Sequence, residues 1–260
     1  MSLKVCVLAS GSGGNCIYVA SGETSILIDA GLSCRETLKR IEMIGADPAR
    51  INAICITHEH DDHISSLGAL HRKTGADLYG NSGTIEGIGH TGKHEDLPWK
   101  VFGTGVPFQV GDLRIEPFSV SHDTYDPVGF AITNADARIG IVTDMGIVTE
   151  LVRTRLKNCR ILVIESNHED SMLKNSDRPW VLKQRIAGMQ GHLSNEQACQ
   201  LLGDIAGPDL RAVFLAHLSS ECNEPELAVK SAKAVLEKRG FPGVAVKLTY
   251  DNRASDVAEC

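Results

Sequence analysis

The stretch "THEHDDH", residues 57–63, follows the apolar run "INAICI", residues 51–56. A short run rich in β-branched residues reads as a buried strand, so the polar cluster sits at a strand end, held at a sheet edge. Its composition is costly there. Two adjacent aspartates repel one another, and a buried imidazole needs a partner. A divalent cation removes both difficulties, because carboxylate oxygens and imidazole nitrogens are its ligands.

The same pattern recurs further along. Four apolar runs end in a metal-competent residue: "INAICIT" at His58, "PFSVS" at His122, "RIGIVT" at Asp144 and "AVFLA" at His217. One histidine after a strand would read as an ordinary hydrogen-bonded side chain. Four such ends, one carrying H-x-H-x-D-H, point to a metal centre built from several strands.

The remaining elements surround these strands. "KVCVLA", "NCIYVA" and "TSILIDAG" read as three consecutive strands. "SCRETLKRIEMIG" (33–45) reads as a helix, with Ser33 and Glu36 at capping-box spacing and Gly45 at its exit. A further helix is expected near "ISSLGALHRKTG" (64–75), then a long loop over 87–105. "FQVGDLRIEPFSVSH", "VGFAITN" and "ARIGIVTD" are strand-rich. The last third alternates: strand "CRILVIES", helix "SNEQACQLLGDIA", strand "LRAVFLAH", helix "PELAVKSAKAVLEKRG", strand "GVAVKLTY". Ser194 and Gln197 again have capping-box spacing, placing His192 just before a helix. Strands precede helices in both halves. This order predicts two sheets packed face to face with helices outside, rather than continuous βαβ winding.

Bulk properties narrow the function. The 260 residues suit one large α/β domain or two small ones, and with no linker-like stretch we expect a single domain over 1–260. A formal net charge of −7 argues against a broad basic face wrapping nucleic acid, though local patches remain open. Eight scattered cysteines form no CxxC pair, and no signal peptide or membrane-length apolar run precedes or interrupts the domain. Free thiols and a cytoplasmic location are therefore expected, with no membrane partner. The glycine-rich "SGSGGN" (10–15) lacks the Lys-Ser/Thr ending of a phosphate loop and leads into a strand. It reads as a tight turn, with Ser10, Ser12 and Asn15 as candidate substrate contacts near the metals.

The segment His58-x-His60-x-Asp62-His63, with His122, Asp144 and His217 following in order, resembles the metallo-β-lactamase fold superfamily across nearly the whole chain. Within it, "LASGSGGNCIYV", "ILIDAGLS", "SHDTYDPVGF", "TDMG", "ESNHE", "GHLSNEQA" and "LAHLSSECN" resemble the YycJ/WalJ branch; ribonuclease Z and phosphoribosyl cyclic phosphodiesterases are more distant. The resemblance implies an α+β fold, an αββα four-layer sandwich with a dinuclear centre at one sheet edge. It also implies 5′-to-3′ exonuclease activity on DNA, with a metal-bridging hydroxide as nucleophile. Carried over by position, it assigns His58, His60 and His122 to one divalent ion and Asp62, His63 and His217 to a second, with Asp144 bridging. Zinc and manganese suit this set, and iron also fits. By likeness to ribonuclease Z, Glu165 and His192 would deliver a proton to the leaving oxygen; His168 is open to three readings, as that acid, as an eighth ligand or as a cap on the following turn. Asp61, outside the signature, reads as an exposed turn residue or an acceptor for a ligand N–H.

Other readings stand beside this one. A metallohydrolase of a small cyclic phosphodiester, lactone or thioester would use the same cluster. A diiron redox protein would carry a carboxylate where His60 stands, and no flavodoxin-like region follows. No long insertion offers a second nucleic-acid-binding domain, so a nucleic acid would lie on the sandwich edge beside Arg178, Lys183 and Arg185. Oligomeric state is not legible.

Overall fold

The computed structural model describes residues 2–94 and 96–260. Its first sheet begins with β1 (Lys4–Ala9), β2 (Cys16–Ala20) and β3 (Ser25–Ile28), paired antiparallel in sequence. From β3 the chain switches hand of pairing. Helix α1 (Cys34–Met43) crosses over to β4 (Ile51–Cys55), which runs parallel to β3. Short α2 (Asp61–Ile64) and α3 (Leu67–Thr74) lead to parallel β5 (Asp77–Gly80), and α4 (Ser82–His90) leads to parallel β6 (Trp99–Val101).

The second sheet repeats the plan. β7 (Phe108–Val110), β8 (Leu113–Ser119), β9 (Val128–Thr133) and β10 (Arg138–Val142) pair antiparallel. After α5 (Glu150–Leu156), β11 (Ile161–Glu165) joins β10 in parallel. Helices α6 (Asp170–Asn175), α7 (Trp180–Ile186) and α8 (Asn195–Ile205) intervene before parallel β12 (Ala212–Ala216). Then α9 (Pro225–Lys238) returns to parallel β13 (Ala245–Leu248), while β14 (Ala258–Glu259) closes the first sheet beside β1.

Packing follows from which face of each strand is apolar. Val5, Val7, Ile26 and Ile28 of the first sheet meet Ile115, Phe130, Ile139 and Phe214 of the second in one inner cluster. The opposite faces are covered by helices: Ile41, Leu67 and Leu70 over the first sheet, and Val152, Leu201, Ala232 and Leu236 over the second. Strands buried on both faces read as continuous apolar runs, as "ILVIE" and "AVFLA" do. Full burial of each Ile, Leu or Phe contributes about 1.5–3 kcal/mol, so the sandwich stands on its core without the polar cluster. This is the four-layer arrangement expected from the sequence.

Three differences stand out. The long loop expected over 87–105 contains the end of α4 and all of β6, Glu95 lying outside the described residues. The expected helix over 64–75 is split, α2 beginning inside the His/Asp cluster and α3 ending at Gly75 with φ 73°. The Ser194–Gln197 capping box is complete, whereas at Ser33 the side chain accepts from Glu36 N.

Candidate metal centre

The parallel strands end on one edge, and the chain leaves three of them in the left-handed region. Asp29 follows β3 with φ 65°, Asp144 follows β10 with φ 56°, and His217 follows β12 with φ 55°. Such residues cost of order 1–3 kcal/mol each and persist where surrounding contacts hold them. The contacts are present. Asp29 N donates to Cys55 O, and Ala30 N to His63 O; Asn15 N donates to Asp62 O at 2.7 Å. Gly31 packs so tightly here that a Cβ would stand 1.7 Å from Asp62 O.

Three imidazole nitrogens converge first. His60 Nδ1 lies 3.2 Å from His58 Nε2 and 3.3 Å from His122 Nε2. Outward bonds set these orientations. His122 Nδ1 donates to Gly191 O at 3.2 Å, and His58 Nδ1 lies 3.0 Å from Thr57 Oγ1. With Nδ1 protonated, each ring turns a lone pair inward, as a metal ligand must. A second group joins Asp62, His63 and His217, with His63 Nε2 and His217 Nε2 at 3.7 and 3.8 Å from Asp62 Oδ2.

Asp144 links the groups, forming a further cluster with His58 of the first and His63 of the second. Its Oδ2 is 3.3 Å from His63 Nε2, and its Oδ1 is 3.4 Å from His217 Nε2. Burial raises its pKa, but His217 and His63 outweigh burial and hold the carboxyl well below its ordinary value. For His58, burial is the main cause of a pKa well below the ordinary one, with the neighbouring histidines adding to it. Asp144 Oδ2 and His217 Nε2 are both buried without a hydrogen-bond partner. Buried, unpartnered Asp144 Oδ2 and His217 Nε2, beside the lone pairs that His58 and His122 turn inward, are the condition a divalent cation relieves, so the residues present fit one.

Glu165 is fully buried. Its Oε1 meets His192 Nδ1 at 2.7 Å, and its Oε2 accepts from Met145 N and Leu193 N. With both oxygens engaged, Glu165 holds His192 beside Asp144, at 3.7 Å from Asp144 Oδ1. Burial lowers the His192 pKa, but the charge and hydrogen bond of Glu165, with Asp144, outweigh it and raise it to about 9. His168 is elsewhere. Its ring is buried with Nε2 3.5 Å from Asp170, its carbonyl accepts from Asn195 N, and it joins none of the donor groups found among the described residues.

The glycine-rich turn divides by role. Ser10 Oγ accepts from His217 N at 2.7 Å and holds that backbone from behind, whereas Asn15 Nδ2 reaches Asp62 Oδ2 and His63 Nε2 on the side that faces the centre. Ser12 is exposed and lines the cavities at the centre. Asp61 is exposed and paired with Lys93 at 2.8 Å. Arg178 pairs with Glu221, and Arg185 with Asp123, while Lys183 donates to the carbonyls of Lys174 and Ser176 and is spent on the local chain.

Two further carboxylates beside the donors were not expected from the sequence. Asp29 Oδ2 accepts from His63 Nδ1 at 2.8 Å, which fixes that ring's tautomer. Asp123 Oδ1 lies 3.5 Å from His122 Nε2 and 3.9 Å from His60 Nε2. The signal for Asp29 was available: "ILID" is a further apolar run ending in a metal-competent residue.

Comparison with known proteins agrees with this architecture. The family model of the beta-lactamase superfamily domain matches residues 24–217. The chain is 37% identical over 242 residues to the exodeoxyribonuclease YycJ of Bacillus anthracis, covering 93% of this chain and 92% of that protein. It is 37% identical over 231 residues to the exodeoxyribonuclease WalJ of Streptococcus pneumoniae, covering 88% and 86%. The crystal structure of the metallo-beta-lactamase fold protein YhfI from Bacillus subtilis superposes with a TM-score of 0.74 at 19% identity, over 100% of this chain and 99% of that one, and shares the fold.

Proposed function

The chain belongs to the beta-lactamase superfamily of metallohydrolases, and we propose that it is a DNA exonuclease cutting 5′ to 3′ with two divalent cations, in one domain over 1–260. The observation that carries the metal half of this reading is the position of Asp144 between two donor groups, with Oδ2 unpartnered and buried. His58, His60 and His122 would hold one cation, and Asp62, His63 and His217 the other, with Asp144 shared. Zinc, manganese or iron suits this mixed nitrogen and oxygen set. Bound there, the cations would polarise a phosphoryl oxygen and lower the pKa of a water enough to supply hydroxide near neutral pH.

The protein's own groups do the rest. Asp29 and Ser10 hold His63 and His217 in place from outside the centre, so these two donors are oriented before a cation binds. Glu165 orients His192 toward the centre, where the imidazolium would give a proton to the departing alkoxide, a poor leaving group unaided. His168, buried beside Asp170, has no part in this reading.

Support for DNA is the 37% identity to two exodeoxyribonucleases over most of all three chains. The net charge of −7 leans toward a small substrate, but net charge does not fix local contacts, and Lys93, Arg178 and Arg185 line the two cavities at the centre. No helix among the described residues is long and apolar enough to cross a membrane, and the eight unpaired cysteines suit a reducing cytoplasm. Elemental analysis tests the metal half. Two equivalents of zinc or manganese per chain are expected, and one or none after metal saturation contradicts it.

A further inference from the structure

Two cavities meet at the donor groups. The wider, about 790 Å³, is lined by Lys93 and Arg185 and by four carboxylates, Glu59, Asp61, Asp62 and Asp144. The narrower, about 370 Å³, extends the other way past Arg178 and the Leu218–Ser220 turn to Tyr250. Ser12, His192 and His217 line both, so the reacting centre lies at their junction.

We infer that the narrower cavity seats the terminal nucleotide of the strand and that Arg178, with Ser219 and Ser220, reads a phosphate monoester at its end; this rests on the nuclease reading above. Size favours it, since the volume lies near the bottom of the range of about 300–1,000 Å³ for small-ligand pockets and is too small for a duplex end. Chemistry favours it as well. Asp251 is the single carboxylate among the described residues lining this cavity, against four in the wider one. The Arg178 guanidinium is fixed through Nε to Glu221 Oε2 at 2.9 Å, leaving its Nη fork for phosphate oxygens. Ser219 Oγ already accepts from Cys222 N and Glu221 N, so its proton is left to donate into the cavity. Tyr250 lines the same cavity with one face covered by the Arg253 guanidinium at 3.7 Å from its centroid, which leaves one face for a base.

This seating gives the reaction its polarity. A water oxygen bonds to the phosphorus joining the first two nucleotides, the bond to the 3′ oxygen breaks, and that oxygen takes the proton of His192. The released nucleotide keeps its original 5′-phosphate and gains a 3′-hydroxyl. The shortened strand carries a new 5′-phosphate and so regenerates the end that the cavity reads.

The test compares 5′-phosphorylated with 5′-hydroxyl DNA of one sequence, using metal-loaded wild type, Arg178→Ala and Arg178→Lys, each checked for folding by thermal melting. Wild type should prefer the phosphorylated end by about 10- to 150-fold, the worth of hydrogen bonds to a charged group. Arg178→Ala should erase most of that preference by losing rate on the phosphorylated end, and Arg178→Lys should keep part of it. A wild type that cuts both ends equally, or an Arg178→Ala that slows both equally, overturns the cavity assignment. If wild type cuts neither DNA yet hydrolyses bis-p-nitrophenyl phosphate, the nuclease reading itself fails.

Discussion

Replacing Asp29 by Asn changes one atom and should loosen the metal centre without disturbing the fold. Asp29 occupies φ 65°, a conformation Asn tolerates almost as well as Asp, so the backbone adds no strain. The carboxylate accepts from Thr57 N and His63 Nδ1, both at 2.8 Å, and from Thr57 Oγ1. An amide cannot satisfy this set. If its oxygen faces Thr57 N–H, its NH2 faces His63 Nδ1, which must then become an acceptor. The His63 proton moves to Nε2, the atom turned toward Asp62 and Asp144, and the ligand lone pair is lost. If the amide flips, Thr57 N–H is left buried and unpaired. Either outcome forfeits a hydrogen bond to a charged group, about 1.5–3 kcal/mol, or about 10- to 150-fold in affinity for the cation held by His63. Loss of such a supporting partner typically weakens metal binding by about 10- to 100-fold, in the same range. Competition with a chromophoric chelator measures the affinity, and turnover against metal concentration measures the consequence. Activity should return at higher metal. Unchanged affinity, or loss of turnover that saturating metal does not restore, would refute the role given to Asp29.

Asp144→Ala should lower occupancy of both cations and abolish turnover while the thermal transition stays cooperative, because the core is apolar; elemental analysis and melting curves decide it. His192→Ala should slow DNA hydrolysis by about 10²- to 10⁴-fold, bis-p-nitrophenyl phosphate much less, and leave metal content unchanged. His168→Ala should retain metal and activity on both substrates and show only a lower melting temperature, since its buried ring lies outside the donor groups; a selective loss on DNA would move the proton donor there. Gly31→Ala would force Asp62 aside, because the added Cβ meets Asp62 O at 1.7 Å; overpacking of this kind costs about 1–3 kcal/mol, and metal affinity should fall with stability.

β10 and β12 were legible because each is a branched apolar run with almost every residue buried and no polar alternation to confuse it, followed closely by Asp144 and His217. Helix α4 was not. "SGTIEGIGH" contains three glycines and reads as loop, but Gly83 is needed beside Asp126 and Gly87 beside Glu59, where a Cβ would meet side-chain atoms at 2.7 and 2.6 Å. Close packing there overrides propensity. Helix α7 begins at Pro179 without a side-chain cap and exposes Trp180 and Val181, so neither capping nor amphipathic spacing announces it. At the site, the sequence names the donors but not what stands behind them. Ser10 and Asn15, read as substrate contacts, also hydrogen-bond to His217, Asp62 and His63 across separations of 207, 47 and 48 residues. Pairings that distant leave no trace in local pattern.

The central claim is metal-dependent release of nucleotides from a DNA 5′ end. The most direct measurement follows 5′-labelled and internally labelled duplex DNA incubated with chelator-stripped protein before and after manganese or zinc is restored. The account predicts no release without metal, then 5′ label appearing first as mononucleotide and internal label only later. Internal fragments before end label, or intact DNA with every metal while small esters are hydrolysed, would contradict it.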